Sequence, residues 1–594
     1  MYEKNNDINR RIFFVGGGML ILSSLLLTRL WKLQVSDQEK YKLLSDQNRI
    51  RIKPIFPKRG VFYDRNGIQL ALNSSNFKLS FSGGSSFTDT EFITKIGKKL
   101  NLDNNQINKL NNKLASARYH KVEIKENLTI DEISKLNFLN NDIEKFIIED
   151  ELKRSYIDSH SFAHLIGYTG SIVDKNSNNE KIAGLSGLEL KFDHILAGHL
   201  GYLKTEVNSQ KKSIRIIDEN KAINGQDIVL TIDKNLQNEV YNIMDDKIGA
   251  ASVMNIQNGE ILAMCSTPSF DSNKFINGFS HEEWKKVSHN ERNPFLNKAL
   301  NGEYPPGSTF KIVTTLAGLE EKILKPDEKI FCSGKTKYGN RNFHCWKDKG
   351  HNEVDLEKAI KESCDVYFYH LAKKIGIEKI SNMAMRLGLG KNYSLVSDKE
   401  KNGLIPTKVW IAKNLKNQWR LGDTLVAGIG QGYVATTPIQ LNLMISMIAN
   451  KGFYLEPKLI KSPINNQKNK IKPAGFNFSN LDLIRSLLDK AVNEKGSNAY
   501  SSRIDIDDWR MAGKTGTSQV VEITEEERKK EIIVTKNWKE RDHALFIGYA
   551  PTNKPKYSVS VVIEHGGSGS QIAAPIGRDI LLACRKIDPD GSRV

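Results

Sequence analysis

The sequence predicts an α/β sandwich carried behind one membrane anchor and an elongated N-terminal module. Three observations lead there: a charge-free run near the N-terminus, a stretch reaching to about residue 220 without catalytic patterning, and a C-terminal region with strands at both ends and long helical segments between. A sheet built from such strands is completed by distant parts of the chain. At 594 residues the chain exceeds one ordinary domain, and 39% hydrophobic with 26% charged residues fits globular cores.

Residues 1–11 form a basic tail with Lys4, Arg10 and Arg11, and residues 12–35 form the anchor. No charge falls between Ile12 and Thr28; Arg29 can snorkel, Trp31 suits an interface, and Leu30, Leu33 and Val35 extend the apolar character. The basic tail places the N-terminus in the cytoplasm and the rest outside, which in a Gram-negative cell is the periplasmic face of the inner membrane. No small-x-small pattern follows the apolar run, against a cleaved signal peptide, and no second run of spanning length occurs.

Residues 36–220 read as a spacer or docking module. Ser36 to about Arg49 is polar and helical; Arg49-Ile50-Arg51-Ile52 alternates as a strand; Asn66-Gly67 turns between Val61-Phe62-Tyr63 and Leu70-Ala71-Leu72. Thr88 to about Glu149 is read as helical, and "DKNSNNEK" near 174 as an exposed loop. The remaining residues, 221–594, open with "DIVLTIDKNLQNEVYNIM", a strand, an Asp233 cap and an amphipathic helix. "ASVMNIQNGEILAMCS" is a hairpin about Asn258-Gly259, "HALFIGYAP" and "YSVSVVIEHGG" are strands, and a helix covers about Ala574 to Lys586. The net charge of +18 suggests an anionic partner, but no Lys/Arg block interleaves with aromatics, so no nucleic-acid partner is expected.

Three motifs carry chemistry. Ser308-Thr309-Phe310-Lys311 follows Tyr304-Pro305-Pro306-Gly307, a breaker, and reads as the start of an apolar helix at Ser308. Ser308 and Lys311 at i,i+3 share a face, and burial makes Lys311 a usable base. Ser363-Cys364-Asp365 offers a hydroxyl for proton relay and a side-chain oxygen for substrate amides; alone it could be a helix cap. Lys514-Thr515-Gly516-Thr517 reads as a strand whose glycines clear room for an extended ligand, with Lys514, Thr515 and Thr517 holding a carboxylate.

The ordered trio S-x-x-K, S-x-[ND], K-T-G resembles that of penicillin-binding proteins and β-lactamases. "RGVFYDRNGIQLA" (59–71) and "GLSGLE" (184–189) resemble the pedestal motifs of class B penicillin-binding proteins, and "GIGQGYVATTPIQL" (428–441) and "HALFIGYAP" (543–551) resemble stretches of their transpeptidase domain. The resemblance implies the transpeptidase fold, an antiparallel sheet flanked by helices, with a pedestal over 36–220. It also implies a penicillin-sensitive D,D-transpeptidase that cross-links stem pentapeptides through acyl-Ser308, with amides of Ser308 and Thr517 as oxyanion hole and a carboxypeptidase side activity. Asp365, where division enzymes carry Asn, and "FHCWKDKGH" (343–351) resemble the elongation branch, the penicillin-binding protein 2 group. Implied partners are β-lactams, elongation-complex proteins and a RodA-like SEDS glycosyltransferase. The alternatives are a division-specific enzyme, a β-lactamase, against which anchor and pedestal argue, and a penicillin-binding scaffold or sensor with little catalysis of its own.

Five cysteines remain: 265, 332, 345, 364 and 584. Cys332, Cys345, His351 and Cys364 make a Cys₃His set suited to structural zinc, with His344 as the alternative imidazole. The resemblance adds that some penicillin-binding protein 2 members hold a metal at corresponding positions. A Cys332–Cys345 disulfide leaving Cys364 free is the competing reading; an unpaired thiol beside the active site in an oxidising compartment favours zinc. Cys265 and Cys584 read as small core residues.

Overall fold

The computed structural model describes residues 3–81, 89–116, 122–137, 146–173, 180–208, 213–461, 472–521 and 537–588. The expected loop near 174 lies outside them, apart from Glu180 and Lys181. Two compact units divide the chain: residues 1–59 with 197–226, and residues 60–196 with 227–594.

The first unit holds a helix over Glu3–Trp31, and Arg10–Ser36 is long and apolar enough to cross a membrane. A helix over Gln38–Arg49 follows, then a three-stranded antiparallel sheet of Ile50–Ile55, Gly201–Val207 and Ser213–Asn220. Ile52, Ile214 and Ile216 on this sheet are exposed.

In the second unit, the expected turn at Asn66-Gly67 forms on the Asp64 carboxylate, which accepts from Asn66 N and Ile68 N at 2.8 Å each. The strand after it is far longer than expected, Gln69–Phe81, and pairs antiparallel with Phe146–Tyr156. The helical reading of residues 88–149 holds over Thr90–Lys99, Asn104–Ser116 and Ile130–Asn137, and is corrected by the strand Val122–Lys125 and, from Phe146 on, by Phe146–Tyr156. Glu149, Asp150, Glu151, Lys153 and Arg154 interrupt its apolar alternation, so no period-2 signal survives. Compactness also divides the chain otherwise than at 220/221. Ile228–Val229 pairs parallel with Phe62–Tyr63, Asn66 Nδ2 donates to Asp233 Oδ2 at 2.9 Å, and Asp64 Oδ2 accepts from Lys234 N. Residues 60–196 therefore fold with the C-terminal region. Glu189 of the second pedestal motif is fully buried against Arg154 Nε at 2.7 Å.

The C-terminal region is built on a five-stranded antiparallel sheet in the spatial order Ile261–Thr267, Gly249–Asn255, Tyr557–Ile563, His543–Ala550, Ala512–Ser518. Strands from both ends of the region meet, Ala250 opposite Val562, as the sequence predicts. Strand alternation sends successive side chains to opposite faces. Ala251, Val253 and Phe546 pack with the helices Lys234–Met244 and Ala574–Ile587; Ala250, Met254, Leu545 and Ile547 enter the larger core with the fully buried helix Pro438–Ala449. Asn442 pins that helix, donating to Ser252 O and accepting from Ser558 Oγ. Ala512–Ser518 is the sheet's edge strand and leads to the site.

Candidate active site

The nucleophile turn is set by glycine. Gly307 has φ +52, and a Cβ there would sit 2.5 Å from the Thr517 carbonyl oxygen. Its N–H donates to Gly430 O at 2.9 Å, and Thr309 Oγ1 donates to Pro306 O at 2.7 Å. Gly307–Phe310 is thus a 3₁₀ turn, and the α-helix begins only at Lys311, not at Ser308 as expected. Ser308 stays partly exposed at the turn, and its hydroxyl makes no hydrogen bond among the described residues. The following helix is buried from Lys311 to Leu319.

Lys311 is fully buried, as the sequence predicts, but with a counter-ion. Its Nζ donates to Asp365 Oδ1 at 2.7 Å, Ser363 O at 2.8 Å and Ser363 Oγ at 3.2 Å. Asp365 Oδ2 accepts from Trp346 N at 2.9 Å. Both carboxylate oxygens are thereby engaged within the protein, each with acceptor capacity left on the cavity side. Lys514 arrives from the edge strand, its Nζ donating to Ser363 Oγ and Thr515 O at 3.1 Å each. Burial, then the neighbouring Lys311 charge, lower its pKa to about 7, with Asp365 opposing. Ser363 Oγ accepts from both lysines. Its two lone pairs are then used, and its own proton is left to point into the cavity it shares with Ser308. Ser363 holds this position at φ +56, a conformation costing of order 1–3 kcal/mol for a non-glycine residue. It stands outside the helix Asp365–Ile375, whose N-cap is Cys364.

A cavity of about 1060 Å³ opens over these groups, lined by Ser308, Ser363, Asp365, Thr515, Gly516 and Thr517 among others. Lys311 and Lys514 lie beneath its floor; Lys514 is 2% exposed, so its ammonium underlies rather than lines the expected carboxylate subsite. Gly516 lines the cavity and has a second neighbour besides. A Cβ on it would come within 3.0 Å of Pro306 O and Thr309 Cγ2, so its bareness admits the nucleophile turn. Three groups escaped sequence reasoning. Trp346 is 56% exposed on the cavity wall and donates Nε1 to Glu362 O and Ser363 O. Gln431 Nε2 donates to Thr517 O at 3.1 Å, and Tyr369 OH to His344 O at 3.2 Å. Trp346 and Gln431 stand in stretches noted only for family likeness.

Cys332, Cys345, His351 and Cys364 converge: their candidate ligand atoms lie within 4.8 Å of one another and all four are buried. Cys332 ends a short strand paired with Asn352–Val354, and Cys345 N donates to Gly334 O, bringing the loops together. His351 Nδ1 faces the sulfurs of Cys332 at 3.6 Å and Cys345 at 3.5 Å. A hydrogen bond from Cys364, with another involving His351, holds the Cys345 thiol well below its usual range. All cysteines are free thiols, so no Cys332–Cys345 disulfide is formed. Three sulfurs and one imidazole at this spacing fit a tetrahedral soft cation. The alternative imidazole, His344, lines the cavity instead. Cys265 and Cys584 are buried core residues whose thiols burial pushes up.

A serine on a tight turn over two buried lysines, bridged by a second serine and flanked by a sheet-edge strand, is the arrangement of a serine acyltransferase of the penicillin-binding type. The Penicillin binding protein transpeptidase domain family matches residues 249–582, and the Penicillin-binding Protein dimerisation domain family matches residues 54–230. The peptidoglycan D,D-transpeptidase MrdA of Haemophilus influenzae is 32% identical over 97% of this chain and 92% of its own. The Helicobacter pylori penicillin-binding protein 2, in complex with MreC, superposes with TM-score 0.78 at 28% identity, over 91% of this chain and 99% of that one. The Pseudomonas aeruginosa penicillin-binding protein 2, in complex with WCK 5153, gives TM-score 0.66 at 29% identity, over 90% and 96%. The chain belongs to the class B penicillin-binding proteins. Within that class its similarity runs to the penicillin-binding protein 2 and MrdA proteins.

Proposed function

We propose that the protein is a penicillin-sensitive peptidoglycan D,D-transpeptidase of cell elongation, acting through an acyl-Ser308 intermediate. The observation that carries this is the meeting of Ser308, Ser363 and the Thr515–Thr517 edge on one cavity, with Lys311 and Lys514 beneath it sharing Ser363 Oγ. In its neutral form, with a lone pair in place of one of its donations, Lys311 takes the Ser308 proton, directly or with Ser363 passing its own proton to Lys311 while receiving that of Ser308. Ser308 Oγ attacks the carbonyl of the penultimate D-Ala. The edge strand holds the peptide as an added strand, with Thr515 and Thr517 at its carboxylate and Lys514 supplying charge from below. Backbone amides of Ser308 and Thr517 stabilise the oxyanion. The D-Ala amine leaves with a proton returned by Lys311 through Ser363. The amine of a neighbouring stem peptide then attacks the acyl carbonyl while giving a proton to Lys311, and the bond to Ser308 Oγ breaks, with that proton returning to Ser308, to leave the cross-link. A β-lactam follows the first half and stops at acyl-Ser308. Ser308→Ala in the detergent-solubilised chain should lose all covalent labelling by a fluorescent penicillin while its melting is unchanged; a labelled peptide mapping to another serine would refute the assignment.

The elongation assignment rests on the MrdA relatives and on Asp365, and partner engagement on the exposed isoleucines of the first unit and the MreC complex of the Helicobacter relative. A RodA-like SEDS glycosyltransferase belongs to the same reading. The basic tail supports a cytoplasmic N-terminus and a periplasmic catalytic region on the inner membrane. Zinc is the metal we propose for Cys332, Cys345, His351 and Cys364, as a closed structural site without a catalytic water position. Cys364→Ser should release one equivalent of zinc from the purified chain; metal content equal to wild type would refute this.

A further inference from the structure

We infer that Glu362 is the positioning residue that fixes His351 in the tautomer able to ligate the metal, an inference that rests on the zinc reading above. The orientation of the ring comes first. Nδ1 faces the Cys332 and Cys345 sulfurs at 3.6 and 3.5 Å, so Nδ1 is the ligating atom and Nε2 points away from the cluster. A neutral imidazole has one donor and one acceptor nitrogen. An Nδ1 whose lone pair is given to a metal leaves the proton on Nε2, and that N–H then requires an acceptor. In the structure Nε2 is buried without a hydrogen-bond partner. It is the orphan that a ligating histidine would present before its supporting contact closes.

One carboxylate is placed to close it. Glu362 Oε2 lies 3.9 Å from His351 Nε2, about 1 Å beyond hydrogen-bond length. The Glu362 backbone is fixed on both sides: its N–H donates to Lys358 O at 2.8 Å and its carbonyl accepts from Trp346 Nε1 at 3.0 Å. The gap of about 1 Å is left to the side chain to close. Lys347 Nζ also stands 3.9 Å from Glu362 Oε2, partly exposed, and limits how far the carboxylate swings outward. The Trp346 ring meets the imidazole edge-on, with ring centroids 5.5 Å apart. A histidine ligand with its far nitrogen bonded to a carboxylate binds metal more tightly than one without, and losing that contact typically costs 10–100-fold in affinity.

The competing explanation is that Glu362 is a surface partner of Lys347 and no more. The two are separated by measuring zinc affinity of the full chain in detergent, by competition with a chromophoric chelator, alongside melting of the metal-free forms. Glu362→Ala should weaken zinc by about 10–100-fold. Glu362→Gln keeps an acceptor without the charge and should recover part of that loss, and Lys347→Ala should stay within about twofold of wild type. Melting of the metal-free variants should match wild type, since the contact matters to the ligating tautomer. Wild-type affinity in Glu362→Ala, with zinc bound normally by the parent chain, would overturn the inference alone. A parent chain that binds no zinc would overturn the metal reading and this inference with it.

Discussion

Replacing Asp365 by Asn tests the least anticipated contact of the site. Lys311 has no exposed side-chain surface and meets Asp365 Oδ1 at 2.7 Å, while the carboxylate itself is 12% exposed. Removing one partner of such a pair costs about 3–5 kcal/mol, because the other charge stays buried without compensation. Asn returns part of this. Its carbonyl oxygen can accept from Lys311 or from Trp346 N, but its amide group then faces the other donor, so one of two bonds is recovered for about 1 kcal/mol. The expected loss is about 2–4 kcal/mol. It is read as the urea midpoint at which the solubilised chain stops taking up fluorescent penicillin, a probe of this site that avoids treating a multi-domain chain as two-state. At a slope of about 3 kcal/mol/M the midpoint falls by about 1 M. Lys311→Met lacks the base and takes up no penicillin, so the two single variants and the double are compared by the urea midpoint of intrinsic tryptophan fluorescence. Lys311→Met should also destabilise, and the double variant should be less damaged than the two losses added, by about 1–3 kcal/mol. An Asp365→Asn midpoint equal to wild type, with additive double-variant losses, would refute the counter-ion role.

Gly307→Ala should cost about 2 kcal/mol or more and slow penicillin acylation by roughly 10²-fold, since the added Cβ meets the Thr517 carbonyl at 2.5 Å and moves the turn off the strand. Gly567→Ala, with φ +84 but nothing within 4 Å of its Cβ, is the control and should show backbone strain without the acylation defect. The acylation rate constant for a carboxylate-bearing β-lactam should fall as pH rises through about 7, where Lys514 loses its proton; a flat profile from about pH 6 to about 9 would refute its electrostatic role. His164, whose pKa burial lowers to about 4 from 6.5, contributes stability present above pH 6.5 and lost as pH falls through 4, about 3 kcal/mol in all. His164→Gln should flatten that part of the acid-denaturation profile; an unchanged acid dependence would show that His164 does not titrate there.

The sequence made legible what is local. The hairpin at Asn258-Gly259, the Asp233 cap and the apolar N-terminal helix each need a handful of adjacent residues, and each forms; the burial of Lys311 was legible too, though its helix starts three residues after Ser308. Cys332, Cys345 and Cys364 were legible as an inventory, yet only loop geometry decides between His351 and His344. What stayed hidden depends on residues brought together across long separations. Lys311 finds Asp365 across 54 positions and Lys514 finds Ser363 across 151, pairings that no period or spacing encodes. The strand Phe146–Tyr156 was hidden for a different reason: in the middle of its register its side chains are mostly exposed, so its pattern is polar and its strand character comes from pairing with Gln69–Phe81.

Ser363, Cys364 and Asp365 explain why the second motif tolerates a left-handed serine. Each of the three residues is tied to a different part of the fold: Ser363 to both lysines, Cys364 to the cysteine and histidine cluster, and Asp365 to Lys311 and Trp346 N. A single tie would let the strained backbone relax into the helix that follows. Three ties in consecutive residues leave no rotation that satisfies one without breaking another, so the strain persists and the Ser363 hydroxyl is held between the two ammonium groups before substrate arrives. The same arrangement makes the cluster matter to the chemistry without touching it. Cys345 immediately precedes Trp346, whose N–H holds Asp365, and Cys364 immediately precedes Asp365 itself. Loosening the four-residue cluster therefore frees both sides of the Asp365 carboxylate at once, and Lys311 loses its counter-ion by a route that leaves every catalytic side chain in place.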